Sequence, residues 1–333
     1  MDVLACGFLV ADIVVAGLER IAAPGEVVTA PRGIVLSVGG HPANVAIDLV
    51  KLGLEPDSVG VCGTVGNDIF GEFIERVLAS YGVRLFIERV KAPTNKNVIL
   101  VVKGEDRRFH VELGASNLLR PELIEELVER EKPRIFYLAS GITELVDKRV
   151  GEVFKTAKLT GSLTFADLAS SGKSLDYLVP AMPYIDVLHC NDAEARLLTG
   201  EGNAASAARR LNDMGVKTAL VTMGERGALA ATSRFLLKQP AFRVEVVDPT
   251  GAGDAFCAGV IHGLLEHGWR SEELARCDWS DVAQLLLLGQ AAGAAACTAP
   301  GTTEGVSREK VEALIREQGA DLLGATSVES RQG

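Results

Sequence analysis

The sequence predicts an α/β protein with a mainly parallel, twisted sheet that is covered by helices on both faces. Three observations favour this fold class. Short apolar or β-branched runs alternate with amphipathic helical patterns along most of the 333 residues, a rhythm that is typical of βαβ units. Glycines cluster where predicted strands end and helices begin. The length accommodates one large domain with an elaboration, or two modest domains.

The individual elements follow from these patterns. Apolar and β-branched runs predict strands at 3–9, 59–62, 135–138, 163–166, 187–190 and 219–222. Amphipathic periodicity between them predicts helices that include 121–130, 204–214 and 255–265.

Two stretches interrupt this alternation. Residues 13–38 have strand and turn character with no helix, and 97–113 has two strand patterns around a turn at 103–106. We expect the two stretches to pair into a small sheet that acts as a lid over a site. The predicted division is core for 1–12, 39–96 and 114–325, β lid for 13–38 and 97–113, and a frayed polar tail for 326–333.

Charge and cysteine usage narrow the class of protein. The formal net charge is −10, and an acidic protein gains nothing from counterion release on a nucleic acid, so no nucleic-acid partner is expected. The six cysteines are scattered without a C-x-x-C pair, which argues against a zinc site or a disulfide framework. Small buried thiols in a reducing cytoplasm are the expected arrangement.

Neither apolar stretch of the chain predicts a membrane segment. Residues 3–18 lack a basic leader and are flanked or interrupted by Asp2 and Asp12, so we expect a strand and not an export signal. Residues 285–299 are too few to span a bilayer and include Gln290, so they predict a buried helix.

The strongest chemical signal is the segment 246–256, Val-Val-Asp-Pro-Thr-Gly-Ala-Gly-Asp-Ala-Phe. Its Gly251-Ala252-Gly253 turn opens a predicted helix, where backbone N–H groups are unshielded by large side chains. These groups and the helix dipole favour a phosphate or a developing negative charge. Asp254, in the first helical turn, is therefore a candidate general base, with a plain helix cap as the alternative.

A second segment, 39–46, reads Gly-Gly-His-Pro-Ala-Asn-Val-Ala. Gly39 and Gly40 precede a predicted helix, and small residues at a helix start allow a ligand to approach closely. Asn44 offers both a donor and an acceptor to such a ligand. The alternative is an ordinary Gly-Gly turn with a capping asparagine.

Two further loops follow predicted strands. Asn191 and Glu194 come directly after 187–190, at the sheet edge where ligands bind, and can orient a hydrated Mg²⁺. The same spacing fits a helix capping box. The glycine-rich loop 221–227 can lie along a nucleotide, or form a tight β-hairpin.

Together these segments resemble the signature regions of the ribokinase-like, or PfkB, carbohydrate kinases. The resemblance covers nearly the whole chain and keeps the family's order. The matching segments are 39–44, the G-x-D-x-x-G-like run 66–71, the N-x-x-E motif 191–194, the T-x-G-x-x-G loop 222–227, the second signature 248–254 and the adenine-side stretch 289–302. It implies a Rossmann-like fold with a small β lid, through which two subunits often pair as a homodimer.

The resemblance also implies an activity, the transfer of phosphate from ATP to a hydroxyl of a small sugar or sugar-like polyol. Asp254 would accept the hydroxyl proton, and the backbone N–H groups of Gly251, Ala252 and Gly253 would stabilise the transferring group. The other implied roles are acceptor binding by Asp12, Gly39, Gly40 and Asn44, nucleotide binding by Asn191, Thr222, Gly224, Gly227 and Gln290, Mg²⁺ binding by Asn191 and Glu194, and a monovalent cation near Asp248 and Thr250.

Several positions differ from the family pattern and leave the acceptor open. Gln290 stands where the family usually has Asn, and His41 stands where ribokinases have Lys. The segment 167–170 lacks the arginine motif that follows this strand in many sugar kinases. Pro249 replaces the commoner Thr, a variant associated with some nucleoside kinases. A sugar is our first choice, and a nucleoside kinase of the same family is the alternative.

Other classes agree less well with the residues. A dinucleotide-dependent oxidoreductase needs Gly where Phe256 stands, and a Walker-type NTPase needs Gly where Asp167 precedes Gly172-Lys173-Ser174. A catalytically inactive sugar-binding protein on the same fold is disfavoured because Asp254 and the Gly-Ala-Gly turn are intact.

Overall fold

A computed structural model describes residues 1–105, 107–169 and 174–331 of the chain. The predicted turn at 103–106 and the segment 172–174 each include residues outside this range. Within it, the strands are β1 Val3–Cys6, β2 Val10–Leu18, β3 Ile34–Gly39, β4 Val59–Gly66, β5 Arg84–Val90, β6 Asn95–Val102, β7 Arg108–Glu112, β8 Ile135–Ser140, β9 Leu163–Leu168, β10 Val187–Asn191, β11 Thr218–Thr222, β12 Ala228–Ala231, β13 Phe235–Gln239 and β14 Ser327–Ser330.

The helices of the same residues lie between these strands. They are α1 His41–Lys51, α2 Ile69–Ser80, α3 Pro121–Glu131, α4 Glu144–Asp147, α5 Val150–Leu159, α6 Asp192–Thr199, α7 Ala204–Asp213, α8 Ala252–Glu266, α9 Ser271–Arg276, α10 Trp279–Ala296 and α11 Arg308–Gly324. Every strand and helix that the sequence predicts for the core is present, with bounds that differ by a few residues.

The large sheet has the order β14-β13-β12-β11-β10-β9-β8-β1-β4-β5 in the described part of the chain. Neighbouring strands from β5 to β11 are parallel, and β12, β13 and β14 are antiparallel. One hydrophobic core lies against α1, α2, α8, α10 and α11, and the other against α3, α5, α6 and α7. The central parallel strands β1, β4, β8 and β9 are fully buried because helices cover both faces of the sheet, which confirms the predicted fold class.

A separate small sheet has the order β3-β2-β6-β7. Strands β2 and β6 are parallel, and the two outer pairs are antiparallel. The sheet comes from the two stretches that interrupt the α/β alternation, with β2 and β6 beginning a few residues earlier than predicted.

The position of Asp12 differs from the prediction. It lies inside β2 and not at the end of the first core strand, so the predicted core boundary at this residue is wrong. The chain turns out of the large sheet just after β1, at Gly7, whose φ of 144° disfavours any side chain. Asp12 then stands opposite Ser37 on β3 and Asn97 on β6.

The C-terminal segment 326–333 contains a strand where a frayed tail was predicted. Its β14 pairs with β13, and Glu329 and Arg331 form ion pairs with Arg209 and Asp213. An edge strand pairs through its backbone with one neighbouring strand and can have polar side chains. The polar composition of this segment therefore did not indicate a strand. Residues 332 and 333 lie outside the described residues.

Helices α8 and α10 approach each other closely through glycines. A Cβ atom at Gly293 would lie 2.9 Å from the carbonyl oxygen of Ala252, and one at Gly259 would lie 2.7 Å from that of Leu288. These contacts fix the start of α8 against α10, the buried helix predicted from 285–299. No helix in the described residues is long and apolar enough to cross a membrane.

Candidate active site

The glycine turn (residues 249–253) leads into α8 at the carboxyl edge of the parallel strands. Gly251 has a φ of 79°, and a Cβ atom there would overlap the carbonyl oxygen of Thr302. Asp248 braces the turn, because its Oδ1 accepts from the Thr250 backbone N–H at 2.9 Å and the Thr250 hydroxyl at 2.6 Å. The turn is therefore held rigidly, with backbone donors at a helix N-terminus.

The N–H groups of this turn are not all equally available. The N–H of Ala252 donates to the carbonyl oxygen of Pro249, at a long distance of 3.3 Å. An anion that approaches the turn competes with this weak bond, and the first helical turn supplies further donors without helical partners.

Asp254 does not cap its helix. The N-cap of α8 is Gly251, with no side-chain cap, while Asp254 Oδ2 accepts a hydrogen bond of 2.7 Å from Asn44 Nδ2. The capping alternatives for both side chains are therefore wrong. Burial raises the pKa of Asp254, and the nearby His41 and the hydrogen bond from Asn44 oppose part of that rise. Asp254 is only 7% exposed, and its carboxyl group faces the start of α1.

A second buried acid, Asp167 at the end of β9, lies next to Asp254. Its Oδ2 accepts from Tyr137 at 2.6 Å and from His41 Nδ1 at 2.8 Å, and its Oδ1 accepts from His189 Nδ1 at 2.7 Å. Burial disfavours its charge, but the two imidazoles outweigh burial and lower the pKa of Asp167. Neither Asp167 nor His41 is among the site residues predicted from the sequence.

On the small sheet, Asp12 faces the same region. Its Oδ1 accepts from Asn97 Nδ2 at 3.1 Å, and burial raises the pKa of Asp12 to about 7, with an added contribution from the negative charge of Asp254. A Cβ atom at Gly39 would overlap Asp12 Oδ2, and one at Gly40 would overlap the carbonyl oxygen of Phe8. Both glycines thus leave room for the carboxylate and the chain beside it.

Unsatisfied oxygens surround these two acids. Ser37 Oγ, Asn44 Oδ1 and Asn97 Oδ1 are buried and have no hydrogen-bond partner in the part of the chain that the structure describes. A buried polar atom without a partner costs about 1–3 kcal/mol, so such atoms close to two carboxyl groups indicate a polar ligand. Ser37 and Asn97 were missed by the sequence analysis, since only the strand register places them beside Asp12.

A cavity of about 620 Å³ opens on the other side of the glycine turn. This volume suits a small organic molecule. Its lining includes the predicted nucleotide residues Thr222, Gly224, Gly227 and Gln290, together with Ala252, Gly253 and Phe256. Gln290 Nε2 donates to Gln239 Oε1 at 2.8 Å. The loop after β11 is also a hairpin, as the alternative predicted, because β11 and β12 are antiparallel.

The predicted metal residues form a capping box. Asn191 Oδ1 accepts from the Glu194 N–H, and Glu194 Oε2 accepts from the Asn191 N–H, both at 2.9 Å. They still lie beside the cavity, since Asn191 is opposite Thr222 in the sheet, and their oxygens suit Mg²⁺. The magnesium role stays a prediction. So does a monovalent cation near Asp248 and Thr250.

One residue of the small sheet contacts the glycine turn directly. Arg107 Nη1, immediately before β7, donates to the Thr250 hydroxyl at 2.7 Å. Nothing in the local sequence singles out this arginine, because its partner lies 143 positions away in the chain. The contact links the small sheet to the start of α8.

Comparisons with known proteins agree with this geometry. A family model described as pfkB family carbohydrate kinase matches residues 3–309. A fructokinase of Klebsiella pneumoniae is 31% identical over 79% of this chain and 86% of its own length. A deoxyribokinase of Salmonella typhi is 30% identical over 80% of this chain and 87% of its own length.

Solved structures show the same fold. A ribokinase from Giardia lamblia superposes with a TM-score of 0.81 at 21% identity, covering 95% of this chain and 98% of that protein. A fructokinase from Xylella fastidiosa with bound ATP gives a TM-score of 0.79 at 23% identity, covering 96% and 99%.

Proposed function

This chain belongs to the pfkB family of carbohydrate kinases, and from that premise we propose that it phosphorylates a small sugar or sugar-like polyol. ATP is the phosphate donor, and Asp254 is the general base. The fructokinase and deoxyribokinase among its relatives act on sugars, as their names state.

The observation that carries the proposed acceptor is the group of unsatisfied oxygens around Asp12 and Asp254. Ser37, Asn44 and Asn97 present buried oxygens without partners in the described residues. Hydroxyl groups both donate and accept hydrogen bonds, so a polyol satisfies these oxygens and Asp12 together. An apolar ligand would leave all of them buried and unsatisfied.

The proposed reaction is an in-line transfer. One acceptor hydroxyl forms a bond to the γ-phosphorus of ATP while the bond from that phosphorus to the β–γ bridging oxygen breaks. The hydroxyl proton passes to Asp254, and ADP leaves. The N–H groups of Gly251, Ala252 and Gly253 stabilise the negative charge on the transferring group.

The nucleotide occupies the cavity behind the glycine turn, between Thr222, Gly224, Gly227 and Gln290. Because the cavity also reaches Gly253, a nucleotide there directs its phosphates to the start of α8. Asn191 and Glu194 hold a hydrated Mg²⁺, which neutralises phosphate charge when bound. A monovalent cation near Asp248 and Thr250 belongs to the same proposal.

A nucleoside acceptor is the second candidate. Pro249 in the second signature favours it, and so does a relative named aminoimidazole riboside kinase from Salmonella typhimurium, 27% identical over 79% of this chain. A nucleoside also offers ribose hydroxyls to the same oxygens.

A screen for ADP release tests the acceptor class. Pentoses, hexoses, inositols and nucleosides are offered with ATP and Mg²⁺, and initial rates are compared. We expect turnover with a free sugar or polyol. Turnover with nucleosides alone would select the second candidate, and turnover with neither class would contradict both.

Asp12 gives acceptor binding a specific pH dependence. The ionised carboxylate accepts stronger hydroxyl hydrogen bonds than the neutral acid, and the pKa of Asp12 is raised to about 7. The acceptor KM should therefore fall as pH rises through neutrality. Asp12→Asn should raise KM by roughly 10- to 100-fold, the loss expected for a hydrogen bond to a charged group, and should flatten this dependence in steady-state kinetics.

The control for this prediction is Asp321→Asn, which alters an exposed acid on α11. It should leave both KM and its pH dependence unchanged. A wild-type KM that is constant between about pH 6 and pH 8, or an Asp12→Asn enzyme with normal KM, would contradict the role of Asp12.

The two stretches 13–38 and 97–113 act as the proposed lid. The contact between Arg107 and Thr250 supports this role, because movement of the small sheet changes what lies over the glycine turn. Backbone hydrogen exchange in β3, β6 and β7 should slow when the acceptor binds. Protection that appears only elsewhere would remove the lid assignment.

The outer strands of the small sheet expose apolar side chains to solvent. Ile34 is 67% exposed, Val35 and Val111 are 52% exposed, and Phe109 is 50% exposed. Phe109 and Val111 share one face of β7, and an exposed apolar patch of this kind is typical of a protein interface. We expect a homodimer that buries it, and light scattering coupled to gel filtration should give twice the mass of one chain.

Two variants probe this interface. Phe109→Glu with Val111→Glu should yield monomers, whereas Leu159→Glu, at a 79% exposed position on α5, should leave the mass unchanged. A wild-type protein that is monomeric at micromolar concentration would rule out the interface.

The enzyme is placed in the cytoplasm, a proposal that its free, mainly buried cysteines support.

A further inference from the structure

His41 lies between two buried carboxyl groups. Its Nδ1 is 2.8 Å from Asp167 Oδ2 and 3.5 Å from Asp254 Oδ1. The side chains of Asp167 and Asp254 are only 3% and 9% exposed, whereas that of His41 is 25% exposed. One imidazole nitrogen thus faces the candidate base and a second acid at the same time.

The surroundings favour the protonated form of this imidazole. Burial opposes a charge on His41, but the carboxylates of Asp254 and Asp167 outweigh it and raise the pKa of His41 to about 10. Glu194 on α6 adds a smaller contribution in the same direction. Because Asp167 is anchored independently by Tyr137, it stays in place as the partner of the imidazolium.

The other groups that act on Asp254 are mostly acids. They come from several elements and include Asp12 on β2, Asp48 on α1, Asp167 on β9 and the imidazole of His189 on β10. The neutral side chains of Tyr137 on β8 and Cys257 on α8 also lie near Asp254. Nearby negative charges and burial both favour the neutral acid. His41 makes the largest contribution that favours the carboxylate form of Asp254.

We propose that His41, paired with Asp167, is a positioning residue that keeps Asp254 ionised and correctly oriented toward the acceptor. The inference rests on the proposed role of Asp254. It gives a role to His41, at the position where ribokinases have Lys, and to Asp167, the buried acid at the end of β9.

The two carboxyl oxygens of Asp254 face different partners. Asn44 donates to Oδ2 at 2.7 Å, and the imidazolium faces Oδ1. Because a carboxyl group that is already protonated cannot take the acceptor proton, the nearby cation preserves the reactive form. After transfer, the proton sits on Asp254, and His41 remains bonded to Asp167.

The test compares His41→Gln with His41→Lys. The pKa of Asp254 is measured by ¹³C carboxyl NMR without substrates, with the signal assigned by its loss in Asp254→Asn. The pH dependence of kcat is measured on the same proteins. His41→Gln should move both the NMR titration and the acid limb of kcat to higher pH, and His41→Lys should restore them.

The expected shift is at least about one pH unit, which lowers the ionised fraction of Asp254 about tenfold on the acid side of the titration. The loss in rate should therefore be largest on the acid side of the Asp254 titration and should disappear well above it. His267→Gln, an exposed histidine at the end of α8, is the matched control and should shift neither curve. Equal melting temperatures show that the variants are folded.

Other results of these measurements would contradict the role of His41 or that of Asp254. An unchanged Asp254 titration in His41→Gln overturns the inference. A higher acceptor KM that is the same at every pH makes His41 a binding residue and overturns it as well. A shifted titration in an enzyme that Asp254→Asn leaves fully active would retain the ion pair and reject the base, so the two failures are distinguishable.

Discussion

Asp254→Asn should lower kcat by roughly 10²- to 10⁴-fold, the usual contribution of a positioned general base. Asparagine has the same shape and can still accept the hydrogen bond from Asn44, but its amide cannot take a proton. Folding should be nearly unaffected, because the acid is buried and its pKa is raised, so the enzyme loses no strongly stabilised charge. ATP binding and melting temperature should therefore match the wild type.

The control variant is Asp281→Asn, which changes an acid in the first turn of α10. This residue shares the local position of Asp254 but lies in a capping box with Asp278. Turnover on the best acceptor and thermal unfolding are measured on one preparation of each protein. A kcat for Asp254→Asn within a few fold of the wild type would reject the assignment of this residue as the base.

Gly251→Ala should have the second-largest effect. The residue has a φ of 79°, and a methyl group there would overlap the carbonyl oxygen of Thr302. The turn must move, and its N–H groups then no longer converge on the transferring phosphate. We expect kcat to fall by roughly 10²- to 10³-fold, the loss measured when one such donor is removed elsewhere, and the melting temperature to fall as well.

Gly268→Ala separates the two causes of this loss. Gly268 follows the same helix at its other end and has a φ of 67°, but nothing lies within 4 Å of an added Cβ atom. This variant carries only the cost of a left-handed backbone, about 1–2 kcal/mol, and should retain its kcat. If both variants lost activity to the same degree, general destabilisation and not the glycine turn would explain the result.

The sequence predicts most of the fold, because strand and helix periods are local properties. The sequence also predicts the two signature segments, because the residues of each segment lie close together in the chain, as Gly251 and Asp254 do. The partner of Asp254 could not be foreseen in this way, as Asn44 is 210 positions away. Asn44 was singled out for its own motif, and only the folded chain joins the two motifs in one hydrogen bond.

Residues that depend on register were missed. Ser37 and Asn97 are ordinary polar strand residues until β2 places them on either side of Asp12. Arg107 could not be singled out from the sequence either. Its partner Thr250 lies in the connection between β13 of the large sheet and α8. For Asn191 and Glu194 the pattern was read correctly but has two meanings, and the structure shows the capping box while their proposed metal role awaits a test.

Most of the proposed acceptor residues lie apart from the proposed reacting residues. Asp12, Ser37 and Asn97 stand on strands of the small sheet, and Asn44 on α1 is the exception, whereas Asp254 stands on α8 and the glycine turn leads into that helix. Acceptor preference can therefore diversify through substitutions on three short strands while the machinery of transfer stays untouched. This modular arrangement makes the small sheet the natural starting point for redirecting the enzyme to a new acceptor by directed evolution, and α8 the part to leave alone.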